Sequence, residues 1–412
     1  MCIRDSSAGR SVLVVERGNY AGAKNMTGGR IYTHALARVF PDFEGSAPLQ
    51  RRITHEKISM AAPDALFTMD FTADELRESG KDSYAVLRGP FDQWLAERAE
   101  EAGADFIYGI AVEDLIVRDG RVCGVVAGGD EVEARITVLA DGANSLLAQK
   151  AGLADDVPLP CQMAVGAKET IALPPSVIED RFLCAPGEGA AWMFAGDCTK
   201  GRVGGGFLYT NDDSISLGLV ATLSDLAAGD VPIYQMLEDF KQRADIAPLV
   251  KGGELVEYSG HLVPEGGLAM VPRLYGDGVL VCGDAAMLCM NLGYSVRGMD
   301  FAVSSGDLAA DAVMRALEAD DVSAAQLAAY EQLLDGCYVL QDLKRFRRFP
   351  RYMEETTRIF NEYPAMARDI MLNLFKVDGH PQARIKDKLL DPLKRVGLWR
   401  VAQDGRKGMK AL

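Results

Sequence analysis

Three short stretches of the chain are apolar without a break: Ser11-Val-Leu-Val-Val-Glu16, Ile136-Thr-Val-Leu-Ala140 and Gly278-Val-Leu-Val-Cys282. Runs of this length and character read as strands buried on both faces, the habit of a parallel sheet covered by helices. Residues 111–118 and 122–126 instead alternate apolar and polar positions, and Asp119-Gly120 between them is a turn pair, so they predict a small antiparallel meander. Gly204-Gly-Gly206, Phe207-Leu-Tyr209 and 215–220 predict strands of a mixed or antiparallel sheet, with a hairpin turn at Asn211-Asp-Asp-Ser214. Elsewhere the spacing is helical. Met236, Leu237 and Phe240 give 234–243 an apolar face. Ala302, Val303, Leu308, Ala309, Ala312, Val313 and Leu317 do the same for a helix beginning at Asp300, whose N-terminus is suited to negative charge on a ligand. Residues 331–412 read as mostly helical, and no internal repeat is evident. The fold class is α/β.

Composition narrows the class by exclusion. The 412 residues allow two or three domains, and 48% hydrophobic with 25% charged residues excludes a disordered chain, a coiled coil or a collagen-like repeat. The longest uncharged apolar stretch, 285–296, has twelve residues and includes Asn291, too short for a spanning helix. A net charge of −15 argues against nucleic acid as a partner. Of the eight cysteines, the closest two, Cys282 and Cys289, are seven positions apart, so the tight cysteine pairs of iron–sulfur or zinc sites are missing. The four histidines are dispersed, and no metal site is expected. The opening residues do not read as a secretory leader, which sets a reducing, cytoplasmic expectation.

Candidate chemistry gathers at the carboxyl ends of the three buried strands, where open α/β sheets collect their ligands. The first ends in Glu16-Arg17-Gly18, an acid placed as in a dinucleotide-binding βαβ unit, where it takes the adenosine ribose. The second runs into Asp141-Gly142 and the third into Gly283-Asp284. A glycine there admits close backbone approach, and the aspartate can accept from a sugar-alcohol hydroxyl. A complete unit would set a first strand, a G-x-G-x-x-G turn and most of a helix ahead of Ser11, on the order of 20–25 residues. Only ten residues stand there. Ser7-Ala8-Gly9-Arg10 reads as the last turn of that helix, Met1–Ser6 matches nothing expected, and the missing segment is an expected feature of the chain as given.

Several motifs together carry a family resemblance. They are the ERG strand end, Ala23-Lys-Asn-Met-Thr-Gly-Gly-Arg30, Val86-Leu-Arg88 before Phe91-Asp92-Gln-Trp94-Leu95, Ala140-Asp141-Gly142, and Gly283-Asp284. With Gly205-Gly-Phe-Leu-Tyr-Thr-Asn211 and Cys289-Met-Asn-Leu-Gly-Tyr-Ser-Val-Arg-Gly-Met-Asp300, the chain resembles the FixC-type electron-transfer-flavoprotein:quinone oxidoreductases from about Ala8 to its end. These belong with the geranylgeranyl reductases and aromatic hydroxylases. The resemblance implies a Rossmann-like FAD-binding domain over 1–50, 84–152 and 268–330, interleaved with a β-sheet substrate or quinone-side domain over 51–83 and 153–267. A helical, basic C-terminal region takes 331–412. It implies cofactor roles for Glu16 and Arg17 at the adenosine ribose and for Arg88 near the phosphates. Lys24, Asn25, Gly28 and Gly29 would lie beside the isoalloxazine, and Asp141, Gly142, Gly283 and Asp284 at the strand ends. Asn291, Leu292 and Gly293 would run along the pyrimidine edge, and Val112 is assigned to the cofactor as well. Lys24 would stabilise an anionic reduced ring. Tyr294 and Arg297 would line an acceptor pocket, with ordinary packing and helix capping as the competing reading. Met26 stands where many geranylgeranyl reductases have cysteine.

The implied activity passes electrons from an electron-transfer flavoprotein of the FixA/FixB type to a quinone, with a separate ferredoxin-like protein in the complex. The alternatives are an FAD-dependent reductase of an isoprenoid or other unsaturated lipid, and a flavin-free scaffold subunit. Charge adds one further expectation. Between 383 and 412 stand nine Lys/Arg and three Asp, with Ile385, Leu389, Leu393, Val396 and Trp399 at helical spacing. Pro392 is expected to kink or divide that helix. Lys344-Arg-Phe-Arg-Arg-Phe-Pro-Arg351 adds five cations with aromatics between them. Both segments suit an anionic membrane surface or an acidic redox partner.

Overall fold

The computed structural model describes residues 1–26, 28–154 and 157–412. The apolar runs form parallel pairs, but the first is not buried on both faces: among the described residues it has a single neighbouring strand, and Leu13 is 42% exposed. Leu13–Glu16 runs beside Asp105–Tyr108, and Thr137–Leu139 beside Val279–Val281. The second pair gains Tyr275–Gly276 as an antiparallel edge. Beneath it packs the helix Met299–Glu318, whose Phe301, Leu308, Ala309, Ala312 and Val313 are all buried. The alternating segments form the meander Val112–Arg118, Arg121–Ala127 and Asp130–Glu133.

Among the described residues, nine strands make one mixed sheet. In spatial order it runs Glu254–Pro264, Met163–Ala172, Ser214–Thr222, Gly204–Thr210, Glu188–Gly196, Leu49–Ala62, Ser83–Val86 and Gly29–Tyr32, with Ala65–Phe71 also paired to Leu49–Ala62. All neighbours are antiparallel except Glu188–Gly196 beside Leu49–Ala62. Because side chains alternate across a strand, Ile215, Leu217 and Leu219 share one face. There they meet Phe182 of the helix Pro175–Phe182 and Phe240 of the helix Ile233–Lys241. The intervening positions of the same strands, Lys168 and Ser216 among them, turn toward the 24–29 loop, which runs directly into the edge strand Gly29–Tyr32. Arg51 clasps the far end of the sheet. It is 2% exposed, and its guanidinium donates to the carbonyls of Asn211 (2.8 Å), Asp212 (2.9 Å) and Glu188 (3.1 Å) and to the Glu179 carboxylate (3.0 Å).

Two terminal segments differ from their sequence pattern. Cys2–Ser7 is helical, including residues where the pattern indicated no element. The chain leaves this helix through Gly9 at φ +75°, with the Arg10 N–H reaching the Asp5 carbonyl at 3.1 Å. In the basic tail the helix Ile385–Val396 continues through Pro392, and the division comes at Gly397, φ +103°, before Leu398–Ala411. The last helix is pinned by Asp404, which is buried and accepts from Arg358 Nε (2.7 Å), Arg358 Nη2 (2.8 Å) and the Tyr363 hydroxyl (2.6 Å). In the 344–351 segment, Phe349 is buried and Phe346 packs on the same core, so the aromatics turn inward. No helix of the described residues is long and apolar enough to cross a membrane.

Candidate functional site

The 18–29 loop is tied at both ends. After Leu13–Glu16 the Glu16 carboxylate turns back on its own loop and accepts the Gly18 N–H at 2.5 Å, while Arg17 stays exposed. Gly22, at φ +89°, lies so close to the helix Arg88–Glu101 that a Cβ would come within 3.0 Å of the Arg88 carbonyl. Asp92 of that helix holds the loop by accepting from the Asn25 side-chain amide. The same carboxylate takes Arg88 Nε at 2.9 Å and Nη2 at 3.0 Å, which fixes the guanidinium beside the loop. Lys24 is exposed. Thr27, in the middle of the motif, lies outside the described residues.

Gly28 meets the sheet. Its φ is +76°, and a Cβ would fall 2.3 Å from Ser216 Oγ and 3.0 Å from Lys168 Nζ. Lys168 donates to the Gly28 carbonyl at 2.9 Å. Ser216 in turn accepts from the Asn211 amide at 3.0 Å. Burial pushes the Lys168 ammonium down to about 7; Glu257 opposes the shift and the Arg88 charge adds to it. Gly29 packs by Met299, 3.3 Å from the position a Cβ would take.

The other two strand ends are locked together. Ser145, following Asp141 and Gly142 (φ +81°), donates its hydroxyl to the Ala285 carbonyl at 2.6 Å. Asp141 accepts the Leu147 N–H at 3.2 Å, and the Gly283 N–H goes to Ser305 Oγ at 3.0 Å. Asp284 is different: among the described residues no donor reaches its carboxylate. Burial raises it above the usual carboxylate range, while the Arg88 and His261 charges pull it back. His261 is lowered by burial, opposed by Asp284, and lowered further by Arg88 and Arg17. Arg17, Arg88, His261 and Asp284 therefore share one electrostatic field.

The stretch after Asp284 forms a hairpin, Met290–Asn291 against Val296–Arg297, with Gly293 at φ +79° in its turn. Asn291 braces it, accepting the Gly293 N–H at 2.8 Å and donating to Glu265 at 3.3 Å. Burial pushes Glu265 up to about 7, with the Asn291 bond acting against the shift. Glu265, Asn291 and Leu292 face Leu343, Phe346 and Phe349 across a narrow cavity of about 10 Å³, no more than a water molecule needs. Tyr294 is half exposed at the hairpin tip. Arg297 does not open into that cavity. It bonds Asp300 through Nε (2.8 Å) and Asp342 through Nη1 (2.8 Å), over the rings of Phe301 and Tyr338. The structure thus joins Arg88, Asn25, Gly28 and Asp284 in one region, sets Asn291–Gly293 on the hairpin, leaves Val112 in the meander opposite Ala127, and uses Arg297 as a packing clamp. Lys168, His261 and Glu265 were not singled out from sequence. The signal for Lys168 was the charged Lys168-Glu169 pair interrupting a strand of mostly small and apolar residues.

Comparison with known proteins decides the family. FixC of Escherichia coli K12 is 49% identical over 404 residues, covering 98% of this chain and 94% of that protein. The chain belongs to the FixC family. Residues 349–412 match the ETF-QO/FixC family C-terminal domain. A second relative, the probable electron transfer flavoprotein-quinone oxidoreductase YdiS of Escherichia coli K12, is 49% identical over 407 residues, 98% of this chain and 94% of that one. The fold is shared with a geranylgeranyl bacteriochlorophyll reductase-like protein of Thermoplasma acidophilum, at TM-score 0.70 and 17% identity, over 98% of this chain and 95% of that one. In this FixC-family chain, the motif glycines 28 and 29 are those that run into the sheet edge.

Proposed function

We propose that this chain is an FAD-dependent oxidoreductase that passes electrons from an electron-transfer flavoprotein to a quinone. The observation that carries the reading is Asp284. It is half-buried, no donor among the described residues reaches its carboxylate, and it lies at a strand end in the field of Arg88, in a FixC-family chain. The hydroxyls of a ribityl chain would supply the missing donors. Gly28 holds the loop close against the sheet, because a side chain there would meet Ser216 and Lys168. In this reading Glu16 and Arg17 serve the adenosine end and Arg88 the phosphates. Lys24, Asn25, Gly28 and Gly29 flank the isoalloxazine, and Asp141, Gly142, Gly283 and Asp284 hold the linking chain. Asn291, Leu292 and Gly293 line the ring edge, with Val112 at the periphery. FAD when bound supplies electron exchange singly or in pairs. The protein orients it: Asp92 fixes Arg88 and Asn25 together, and Glu265 fixes the hairpin through Asn291.

The partners in this proposal are FixA/FixB-type flavoprotein subunits and a ferredoxin-like protein. The site of action is the cytoplasmic face of an anionic membrane. Ile385, Trp399 and Met409 support the membrane contact, being 68%, 79% and 80% exposed among the tail's lysines and arginines. From 344–351 only the cations are available for it. The test has two parts. Reconstituted with FAD, the chain should show visible flavin absorption, be reduced by its flavoprotein partner and be reoxidised by a short-chain quinone. No flavin uptake would point to a scaffold, and reoxidation by an unsaturated lipid without quinone dependence would point to a lipid reductase. Sedimentation with anionic vesicles should exceed that with neutral ones and weaken with salt; equal sedimentation rejects the membrane contact.

A further inference from the structure

Lys168 lies mid-strand in Met163–Ala172, between Gly218 on one neighbouring strand and Ser259 on the other. Both neighbours are small, and the lysine stem takes the space they leave. The residue is 1% exposed. An ammonium has three N–H donors to place, and the protein acceptor for this one is the Gly28 carbonyl at 2.9 Å. Among the described residues it forms no ion pair. Glu257, on the outer strand Glu254–Pro264, acts on it only from a distance, and Arg88 repels it. A buried charge is stable only when an opposite charge or full hydrogen bonding meets it. The protein alone meets this one in part, at the carbonyl of a loop proposed to flank the flavin.

We propose that Lys168 is the charge partner of the reduced flavin, becoming protonated at Nζ through its hold on Gly28 as the isoalloxazine gains electrons. This rests on the reading that FAD lies beside the 24–29 loop. In the balance, two electrons from the flavoprotein donor and one proton convert the ring to its anionic reduced form. A second proton, from solvent, goes to Lys168, so that the pair leaves the site with little added charge. On reoxidation the quinone takes the two electrons, and both protons are released to it or to solvent. Lys168 acts through the loop and is a positioning residue rather than a catalytic one. The other charged groups facing this region are Glu257 and His261 on the outer strand, Arg88 and Asp92 on the helix, Lys24 in the loop and Asp284 at the strand end. Arg88 is paired with Asp92, which offsets part of its charge. His261, lowered by burial, titrates on the acid side of neutrality.

The experiment is a reductive titration of the FAD-reconstituted wild type, K168M and K168R from pH ~6 to ~9, reading the flavin midpoint potential. A two-electron couple changes tenfold per ~30 mV, so each additional proton taken up steepens the potential by ~30 mV per pH unit. On the alkaline side of neutrality the wild type should be steeper than both variants by that amount. K168M should have the lower midpoint, and K168R, which keeps the charge without titrating, should not. E265Q, which removes the other group titrating near neutrality at the hairpin, should keep the steep limb. Wild type and K168R running parallel would overturn the proposal, whether or not K168M holds flavin. A wild type that takes up no flavin fails the cofactor reading and the proposal together, and its spectrum shows this before any potential is read.

Discussion

Replacing Glu265 by Gln preserves the shape of the side chain and the oxygen that accepts from Asn291, and removes only the titration. In the folded chain burial pushes the Glu265 carboxyl up to about 7 from an ordinary 4.5, with the Asn291 bond pulling weakly the other way. The folded state therefore keeps a proton that the unfolded chain has already released. For an acid raised in this way, the contribution to stability is complete below the unfolded value. It is lost as pH rises through the folded value. Each pH unit of that interval removes about 1.4 kcal/mol, so the wild type gives up at most about 3 kcal/mol between its acid limit and neutrality. E265Q does not share this decline. Urea denaturation at pH ~5 and pH ~8 should show the two proteins close together at the lower pH and E265Q the more stable at the higher, by about 2–3 kcal/mol. Parallel pH profiles, or a wild type more stable than E265Q at pH ~8, would refute the placement of Glu265 as a desolvated acid braced on the 290–297 hairpin.

Three other substitutions probe the same architecture. Gly28→Ala puts a methyl against Ser216 at a left-handed φ. It should cost about 1–2 kcal/mol and weaken FAD binding more than tenfold in a fluorescence titration, and unchanged affinity would contradict the close approach. Arg51→Met strands the Glu179 carboxylate and the buried carbonyls of Glu188, Asn211 and Asp212, and a loss of about 3–5 kcal/mol is expected in urea midpoints. Asp404→Asn removes the charge that Arg358 and Tyr363 converge on. About 2 kcal/mol of local stability should go, read as faster hydrogen exchange confined to 398–411. Acid should do the same to the wild type, because Arg358 holds the Asp404 carboxyl below its usual range and the tether lasts until pH falls through that lowered value.

What the sequence disclosed follows periodicity and local turn chemistry. The strand Ser214–Thr222 and the helix Met299–Glu318 declare themselves by spacing, and Asp141-Gly142 and Gly283-Asp284 by the strands that precede them. What it withheld depends on partners distant along the chain. Lys168 is buried because Gly218 and Ser259 flank it and Gly28 caps it, none of which its own strand reveals. Glu265 becomes a buried acid only when Asn291 and the 343–349 helices close over it. Arg297 was expected near an acceptor, yet Asp300 and Asp342 hold it, and Asp342 arrives from a separate helix. Pro392 was expected to interrupt a helix that Gly397 ends.

The hydroxyl of Ser145 meets the Ala285 carbonyl across 140 residues of chain, and Lys168 meets Gly28 across the same separation. Five of the nine strands described for the large sheet lie between the members of the first pair. Long closures of this kind cost loop entropy before any contact returns it, and they slow folding. The cleft is thus among the last parts of the molecule to exist. A nascent chain emerging from the ribosome can shape the meander early, but the proposed flavin site is complete only once the residues around Asp284 and the hairpin after it have been made. On the proposed reading, FAD would load onto the finished fold after synthesis rather than onto its intermediates.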